Sequence, residues 1–267
     1  MTVKALMVQI RRMLLSFQIM SRIPVNLALP CESEDMLGSM VYFPLVGAAV
    51  GALMALAAWL GHLLTGSYLA AAALAVLVDV LVTGGIHMDG LGDTCDGFFS
   101  GRERDRILEI MHDSRMGTFG GLGLMLTLLL KFAFIAAALE RLGGSALGLT
   151  FAAPVLSRMC VVLLERIGQS ARKGMGSAYV VGMNWRHVAA AFGVGAALLL
   201  VVRPVTLLGI PVAAALAYLF NAYFNRKIGG LTGDTLGAAN ELSALVFYAL
   251  AALRFIARGR RTCKTAK

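Results

Sequence analysis

The amino-acid sequence predicts an all-α protein that crosses a membrane repeatedly as a helical bundle. Hydrophobic residues make up 58% of the 267 residues and charged residues only 15%, whereas soluble domains are about 45–50% apolar and about 25% charged. Most of the apolar runs approach the roughly 20 residues that a helix needs to span a bilayer. The basic residues between these runs fall mainly on one side of the predicted membrane.

We predict about seven transmembrane helices, within a single membrane-embedded domain over residues 1–267. Each span corresponds to a mostly apolar window, although the fifth is short and the break at Arg203-Pro204 separates it poorly from the sixth. The windows are 43–60, 68–86, 119–139, 146–164, 188–202, 204–224 and 236–257.

The N-terminal segment, MTVKALMVQIRRMLLSFQIMSRIPV, resembles a signal peptide only superficially. Arg11 and Arg12 interrupt its apolar stretch, and no small-residue cleavage site follows. An amphipathic helix lying in the membrane interface fits the pattern better.

The net charge of +9 follows membrane topology rather than nucleic-acid binding. With a cytoplasmic N-terminus, fourteen lysines and arginines fall in the inner loops, and only Arg141 and Arg203 fall in the outer loops. Seven spans, however, place the basic tail RFIARGRRTCKTAK outside. Either the last segment does not fully cross, or the number of spans differs by one.

The longest polar segment, residues 98–117, is predicted to form a cytoplasmic loop with a surface helix. Ser100 is a plausible N-cap for a helix from about Arg102 to Ser114. An apolar stripe on this helix would pack against the membrane or the bundle; it consists of Ile107, Leu108, Ile110 and Met111.

The stretch HMDGLGDTCDG is the strongest candidate for a functional site. In a helix, Asp89, Asp93 and Asp96 have spacings that place them on one face, where like charges repel. Mg²⁺ would relieve this repulsion, because it prefers carboxylate oxygens together with water and substrate phosphates. An acidic solvated loop is the alternative. Asp89 ends the apolar run, so we expect it to be the most deeply placed of the three and the least screened by water.

A second corner, GGLTGDTLGAANE, repeats the tripeptide Gly-Asp-Thr beside another span. It contributes Asp234 and Glu241 as candidate metal ligands and Asn240 as a candidate substrate-binding residue. Alone it is equally typical of a glycine-rich turn before a helix. Beside the first corner, it is predicted to form the other half of a metal–phosphate site.

Several basic residues on the same predicted side are candidates for holding an anionic substrate, because arginine binds phosphate in a bidentate manner. Contact with lipid headgroups is the alternative for each of them. The candidates are Arg102, Arg104, Arg106, Arg115, Arg172 and Lys173, and Asp113 joins the predicted substrate-binding set.

Four further residues have open roles. Asp79 lies within a span and is expected to pair with Lys131 or Arg158, which also lie within spans. His87 is either a general base or a structural histidine. No nucleotide-binding loop, dinucleotide fingerprint or serine-protease arrangement accompanies them.

The motifs GGIHMDGLGDTCDG, RDRILEIMHDSRMGTFGG and GGLTGDTLGAANEL resemble those of the adenosylcobinamide-GDP ribazoletransferase family of cobalamin synthases. SRIPV, YFPLVGAAVGAL and SARKGMG add weaker similarity in the same order along nearly the whole chain. The departures are Ser21, Met88, Gly92 and His112. Only His112 changes a charge, which puts a phosphate role at that position in doubt.

The resemblance implies a Mg²⁺-dependent enzyme of the bacterial inner membrane, with its active site facing the cytoplasm. It would join adenosylcobinamide-GDP to α-ribazole or its 5′-phosphate and release GMP. Asp89, Asp93 and Asp96, with Asp234, would hold the metal ion. An aspartate or His87 would accept the hydroxyl proton, and Arg115 would steady the departing GMP. Membrane lipid is a further partner, nucleic acid is not expected, and a homo-oligomer stays open.

Three rival functions differ in the features they require. A CDP-alcohol phosphotransferase also uses clustered aspartates with Mg²⁺, but its motif D-G-x-x-A-R is not met after Asp89-Gly90. A cation-coupled transporter would place its polar residues near the bilayer midplane. A scaffold for other corrinoid enzymes would leave the aspartates without a purpose.

Overall fold

The computed structural model describes residues 3–29, 32–171 and 183–253, and these residues form helices and connecting turns with no strand. The prediction of an all-α membrane bundle is confirmed. The helices are α1 (Val3–Met20), α2 (Ser33–Ser39), α3 (Phe43–Thr65), α4 (Tyr68–Thr83), α5 (Ile86–Phe99), α6 (Arg104–Ile110), α7 (Thr118–Leu142), α8 (Ser145–Ile167), α9 (Trp185–Val202), α10 (Gly209–Ile228) and α11 (Gly233–Ala252). Short 3₁₀ turns, Met40–Tyr42 and Pro204–Leu208, precede α3 and α10.

Six stretches of helix in the described residues are long and apolar enough to cross a membrane by themselves. The remaining predicted span, the second along the chain, corresponds to two helices. Helices α4 and α5 are long and apolar enough to cross a membrane only when taken together, and the chain bends by 91° between them. The window predicted at residues 68–86 therefore begins where α4 begins and ends just after the bend. Its helix ends at Thr83, because Gly84 and Gly85 adopt left-handed φ angles of 64° and 71°.

Contacts at one end of the bundle join the loops that were predicted to be cytoplasmic. Arg104 donates to the carbonyl oxygens of Ile228 (2.8 Å) and Ala171 (2.9 Å). The Lys227 ammonium donates to Phe98 O at 3.2 Å, and the Arg22 amide bonds to Val82 O at 2.7 Å. The segments before α3, around α5 and α6, after α8 and before α11 thus share one end.

The opposite end gathers the predicted outer loops. Arg203 donates to Ser145 O at 3.1 Å, and Arg141 donates to Ala252 O. The helix α11 therefore runs from the end that holds α5 to the end that holds Arg141. The basic tail that complicated the predicted topology, residues 254–267, lies outside the described residues.

Small residues hold the centre of the bundle together. A Cβ atom on Gly51 would lie 2.5 Å from Phe151 O, and one on Gly47 would collide with the backbone of Pro154. Gly47 and Gly51 are four residues apart, so both face α8 and let the two backbones approach closely. The YFPLVGAAVGAL segment therefore sets the α3–α8 contact that supports α8 and its polar residues.

Large apolar side chains cover the outer surface. On α3, Leu56, Trp59, Leu63 and Leu64 are exposed, as are several leucines of α7. Soluble proteins rarely expose continuous apolar faces of this size, which agrees with the membrane bundle that the sequence predicts.

The helix predicted within the polar segment at residues 98–117 is shorter than expected. It spans Arg104–Ile110, with Glu103 at its N-cap position, and Ser100 instead accepts the Arg102 amide at the end of α5. The predicted apolar stripe is confirmed at Ile107, Leu108 and Met111, which are buried. Helix α6 begins later than predicted because tertiary contacts, here the hydrogen bonds of Arg104, determine its first residue.

Candidate active site

The first acidic corner forms α5, the helix that begins after the 91° bend at Gly84-Gly85. The prediction that Asp89, Asp93 and Asp96 share a helix is confirmed. Helix α5 packs against α7 and α11. Its glycines do not break the helix, because the contacts with these neighbours compensate for their low helix propensity.

The two Gly-Asp-Thr corners meet where α5 crosses α11. A Cβ atom on Gly90 would lie 2.8 Å from Asp234 O and 2.9 Å from Asp234 Cα, and one on Gly237 would lie 3.1 Å from His87 O. The backbones therefore touch at these two glycines. The expectation that both corners face one site agrees with this geometry.

We expect Gly90→Ala to separate the helices and to reduce activity at least tenfold, since a methyl group has no space against the Asp234 backbone. Gly193→Ala on α9 is the matched control, because a Cβ atom at Gly193 would also meet nothing within 4 Å. Turnover of both purified variants checks the prediction, and equal turnover would show that the close crossing is not required.

Asp93 lies at the centre of the acidic cluster. The negative charges of Asp234, Asp89 and Asp96 all act on its carboxyl group, and its side chain is half-buried. Four carboxylates gathered from two helices are unfavourable unless positive charge enters among them.

Asp89 is not the most sheltered of the three aspartates, so that expectation was wrong. It is exposed, while Asp93 and Asp96 are half-buried. The 91° bend turns the start of α5 outward, where Asp89 borders a cavity of about 620 Å³ that Arg22 and Gln18 also line. The Arg22 side chain packs against Gly84, which places a guanidinium group on the same cavity as the Asp89 carboxylate.

Asp96 is bonded to the start of α7. Its two carboxylate oxygens accept the amides of Gly117 (2.7 Å) and Gly120 (2.8 Å). A carboxylate at this position accepts hydrogen bonds from N–H groups at the start of α7, and the positive end of the helix dipole stabilises its negative charge. A side chain at Gly117 or Gly120 would collide with Asp96, which explains the first two glycines of the RMGTFGG segment.

His87 points away from the aspartates. It is buried, its Nε2 lies 3.2 Å from Met20 Sδ, and its Nδ1 has no hydrogen-bond partner among the described residues. The histidine and Asp89 line different cavities. This geometry favours an aspartate over His87 as the proton acceptor.

Glu241 is engaged in the interior of the bundle rather than beside the aspartates. The Lys131 ammonium donates to Glu241 Oε2 at 2.5 Å and to Asp79 Oδ2 at 2.7 Å. The expected pairing of Asp79 with Lys131 is thus confirmed. Arg158 is also buried, donates to Pro154 O at 3.1 Å and is influenced by the charges of Asp79 and Glu241. Two acidic and two basic groups balance each other here, as intramembrane charges must.

Asn240 is likewise an interior residue. Its side-chain oxygen accepts the Ser157 hydroxyl at 3.0 Å, and its amide donates to Glu241 Oε1 at 3.3 Å. Asn240 and Glu241 therefore join α11 to α8 and α7. The structure places both away from the surface that Asp89 borders.

The predicted phosphate-binding arginines occupy the loop around α6. Arg102 is exposed, and Arg106 pairs with Glu109 at 2.6 Å. Arg115 donates three side-chain hydrogen bonds to Asp113, which lower the pKa of Asp113 to about 2. Arg115 is two residues from Gly117, whose amide holds Asp96. Arg172 and Lys173 lie outside the described residues.

The described residues contain no group of three or more His, Cys, Asp or Glu side chains arranged to enclose a metal ion by themselves. Mg²⁺ does not require such a cage, because it is usually held by one or two carboxylates, water and substrate phosphates. The carboxylates around Asp93 fit this partial ligand set.

Comparison with known proteins identifies the family. The family model described as cobalamin-5-phosphate synthase matches residues 12–252. The chain belongs to the cobalamin-5-phosphate synthase family. It is a transferase of cobalamin synthesis, with relatives that carry the name adenosylcobinamide-GDP ribazoletransferase.

These relatives resemble the chain over most of their length. The Clostridium kluyveri relative is 36% identical over 236 residues, covering 85% of this chain and 90% of its own. The Escherichia coli K12 relative is 39% identical over 246 residues, with 88% and 95% covered. The Klebsiella pneumoniae relative is 41% identical over 239 residues, with 87% and 95% covered. No solved structure matches the chain.

Two residues of this cobalamin-5-phosphate synthase family member were missed at the sequence level. Arg22 was counted only as one of the fourteen basic residues of the predicted inner loops, although it borders the cavity beside Asp89. Glu165 was overlooked, although it is an acidic residue in the apolar run VVLLERI. An ionisable residue in such a run is itself a signal of function.

Proposed function

We propose that the chain is a Mg²⁺-dependent enzyme that joins adenosylcobinamide-GDP to α-ribazole or α-ribazole 5′-phosphate, giving adenosylcobalamin or its 5′-phosphate and GMP. The observation that carries the proposal is the cluster of four carboxylates at the α5–α11 crossing, beside a polar cavity with an arginine. A diphosphate with its metal ion matches both features, because the metal ion complements the carboxylates and the phosphates complement the arginine.

In this proposal the two acidic corners bind and orient the diphosphate. Asp93 and Asp234, with Asp89, would hold Mg²⁺, which would supply positive charge to the diphosphate when bound. Arg22 contacts a phosphate oxygen from the other side of the cavity. Asp96 keeps α5 and α7 in register through the Gly117 and Gly120 amides.

The proposed reaction is a transfer at phosphorus. The 3′-hydroxyl oxygen of the ribazole forms a bond with the phosphorus attached to cobinamide. The bond from that phosphorus to the oxygen of the GMP phosphate breaks, so GMP leaves with this oxygen. An aspartate of the cluster accepts the hydroxyl proton, and basic residues such as Arg115 stabilise the departing charge.

The test is an assay of the purified full chain in detergent. We expect GMP release that requires adenosylcobinamide-GDP, the ribazole and Mg²⁺ together. Release of CMP from a CDP-alcohol would instead support the phosphotransferase alternative. Ion-driven solute uptake into vesicles without GMP release would support the transporter.

We also propose that the protein lies in the bacterial inner membrane with the acidic corners on the cytoplasmic side. In a background without the native cysteines, Ser114→Cys should be protected from an impermeant thiol reagent in intact cells. Gly144→Cys at the other end of the bundle is the matched control and should be labelled. Both residues are exposed, so the opposite pattern of labelling would reverse the orientation.

A further inference from the structure

A second cavity, of about 250 Å³, lies next to the one that Asp89 borders, and Ile19 and Ile86 line both. Its volume equals that of about eight water molecules, at roughly 30 Å³ each. Most of its wall is apolar; this part consists of Met20, Met36, Met40, Phe43, Val161 and Leu236.

Two polar side chains in this wall are buried, and each has one atom without a hydrogen-bond partner among the described residues. Glu165 is 4% exposed, and its Oε2 has no hydrogen-bond partner among the described residues. His87 is 6% exposed, and its Nδ1 also has no hydrogen-bond partner among the described residues. A buried polar atom without a partner destabilises the folded protein, and a charged one does so more strongly. A ligand that bonds to these atoms would remove this destabilisation.

The cavity adjoins the acidic corner. Gly233 and Gly237 of α11 line it, and Asp234 directly follows Gly233. On α5, His87 lines it, while Asp89 borders the polar cavity two residues further along. A molecule with one part in the apolar cavity can therefore extend its other part to the carboxylates.

We propose that this cavity binds the planar heteroaromatic base of a ribazole, with the Glu165 carboxyl group hydrogen-bonded to a ring nitrogen and His87 as a second polar contact. The assignment rests on the proposed function. Apolar walls suit the hydrocarbon edge of a benzimidazole, and one carboxyl group suits its single free ring nitrogen, with one proton shared between them. The sugar then lies toward Asp234, where its hydroxyl group is needed.

The test measures binding of unphosphorylated α-ribazole to the purified full chain by equilibrium dialysis, without the second substrate. We expect Glu165→Met to weaken binding about tenfold, the scale of one lost hydrogen bond that leaves a buried partner. Glu165→Gln should stay within about threefold of wild type, because its amide can still donate to the ring nitrogen. Glu140→Met, at an exposed position of α7, is the matched control and should not change binding.

A second variant tests whether the ligand occupies the cavity, independently of the hydrogen bond to Glu165. Val161→Phe should fill the cavity and abolish α-ribazole binding, while adenosylcobinamide-GDP still binds and reports a folded protein. If Glu165→Met and Val161→Phe both bind α-ribazole like wild type, the assignment of this cavity is overturned. If the wild-type enzyme releases no GMP with both substrates, the proposed function fails instead, so the two failures are distinguishable.

Discussion

Asp93→Asn is expected to insert and fold like wild type but to lose at least about two orders of magnitude in turnover, the scale of removing one electrostatic element of catalysis. Asn keeps the shape of the side chain and removes its charge. Asp93 is chosen because three other carboxylates act on it. GMP release by the purified variant is the measurement.

The matched control is Asp105→Asn, because Asp105 lies on α6 with its side chain 88% exposed. It should keep turnover within about twofold. Asp89→Asn then separates two roles: raising Mg²⁺ should restore part of its activity if Asp89 is a ligand and none if it is the proton acceptor. Near-normal turnover of Asp93→Asn at ordinary Mg²⁺ would contradict the placement of the catalytic centre at this cluster.

Lys131→Met should destabilise the protein by about 3–5 kcal/mol, the scale of leaving buried charges without their partner. Lys131 is 1% exposed and bonds both Asp79 and Glu241. Without it, two carboxylates remain in the bundle interior with only Arg158 to oppose them. The midpoint of thermal unfolding in detergent should fall clearly.

Two further proteins show whether charge balance is the cause. Lys4→Met removes an exposed lysine of α1 and should leave the midpoint unchanged. The triple variant Lys131→Met, Asp79→Asn, Glu241→Gln should recover much of the loss, because it no longer buries uncompensated acids. A Lys131→Met protein as stable as wild type would show that this ion-pair network does not support the bundle.

The candidate site shows the limits of reading spacing alone. The spacing of Asp89, Asp93 and Asp96 predicted a common helix face correctly, since helical geometry fixes it. It did not reveal that Asp96 bonds the start of α7, which depends on a segment more than twenty residues away. Nor did it show that the bend at Gly84-Gly85 exposes Asp89.

In the second corner, too, the sequence placed one residue correctly and misplaced others. Asp234 was expected beside the first corner, and the Gly90 and Gly237 contacts bring it there. Glu241 and Asn240 follow it within seven residues, yet they lie up to two turns further along α11, at the level of Lys131 and Ser157. A helix carries neighbouring polar residues to different depths, so proximity in sequence did not mean a shared site.

The sequence by itself determined that this chain is a helical membrane protein of the cobalamin-5-phosphate synthase family, because apolar run length and long motifs are properties of the chain alone. The tertiary structure decided which polar residues meet: the crossing of α5 and α11, the Lys131 ion pairs, and the cavity with Glu165. The Lys131–Glu241 pair alone joins residues 110 positions apart. They arise from how closely glycine-lined helices can pack and from the need to pair buried charges.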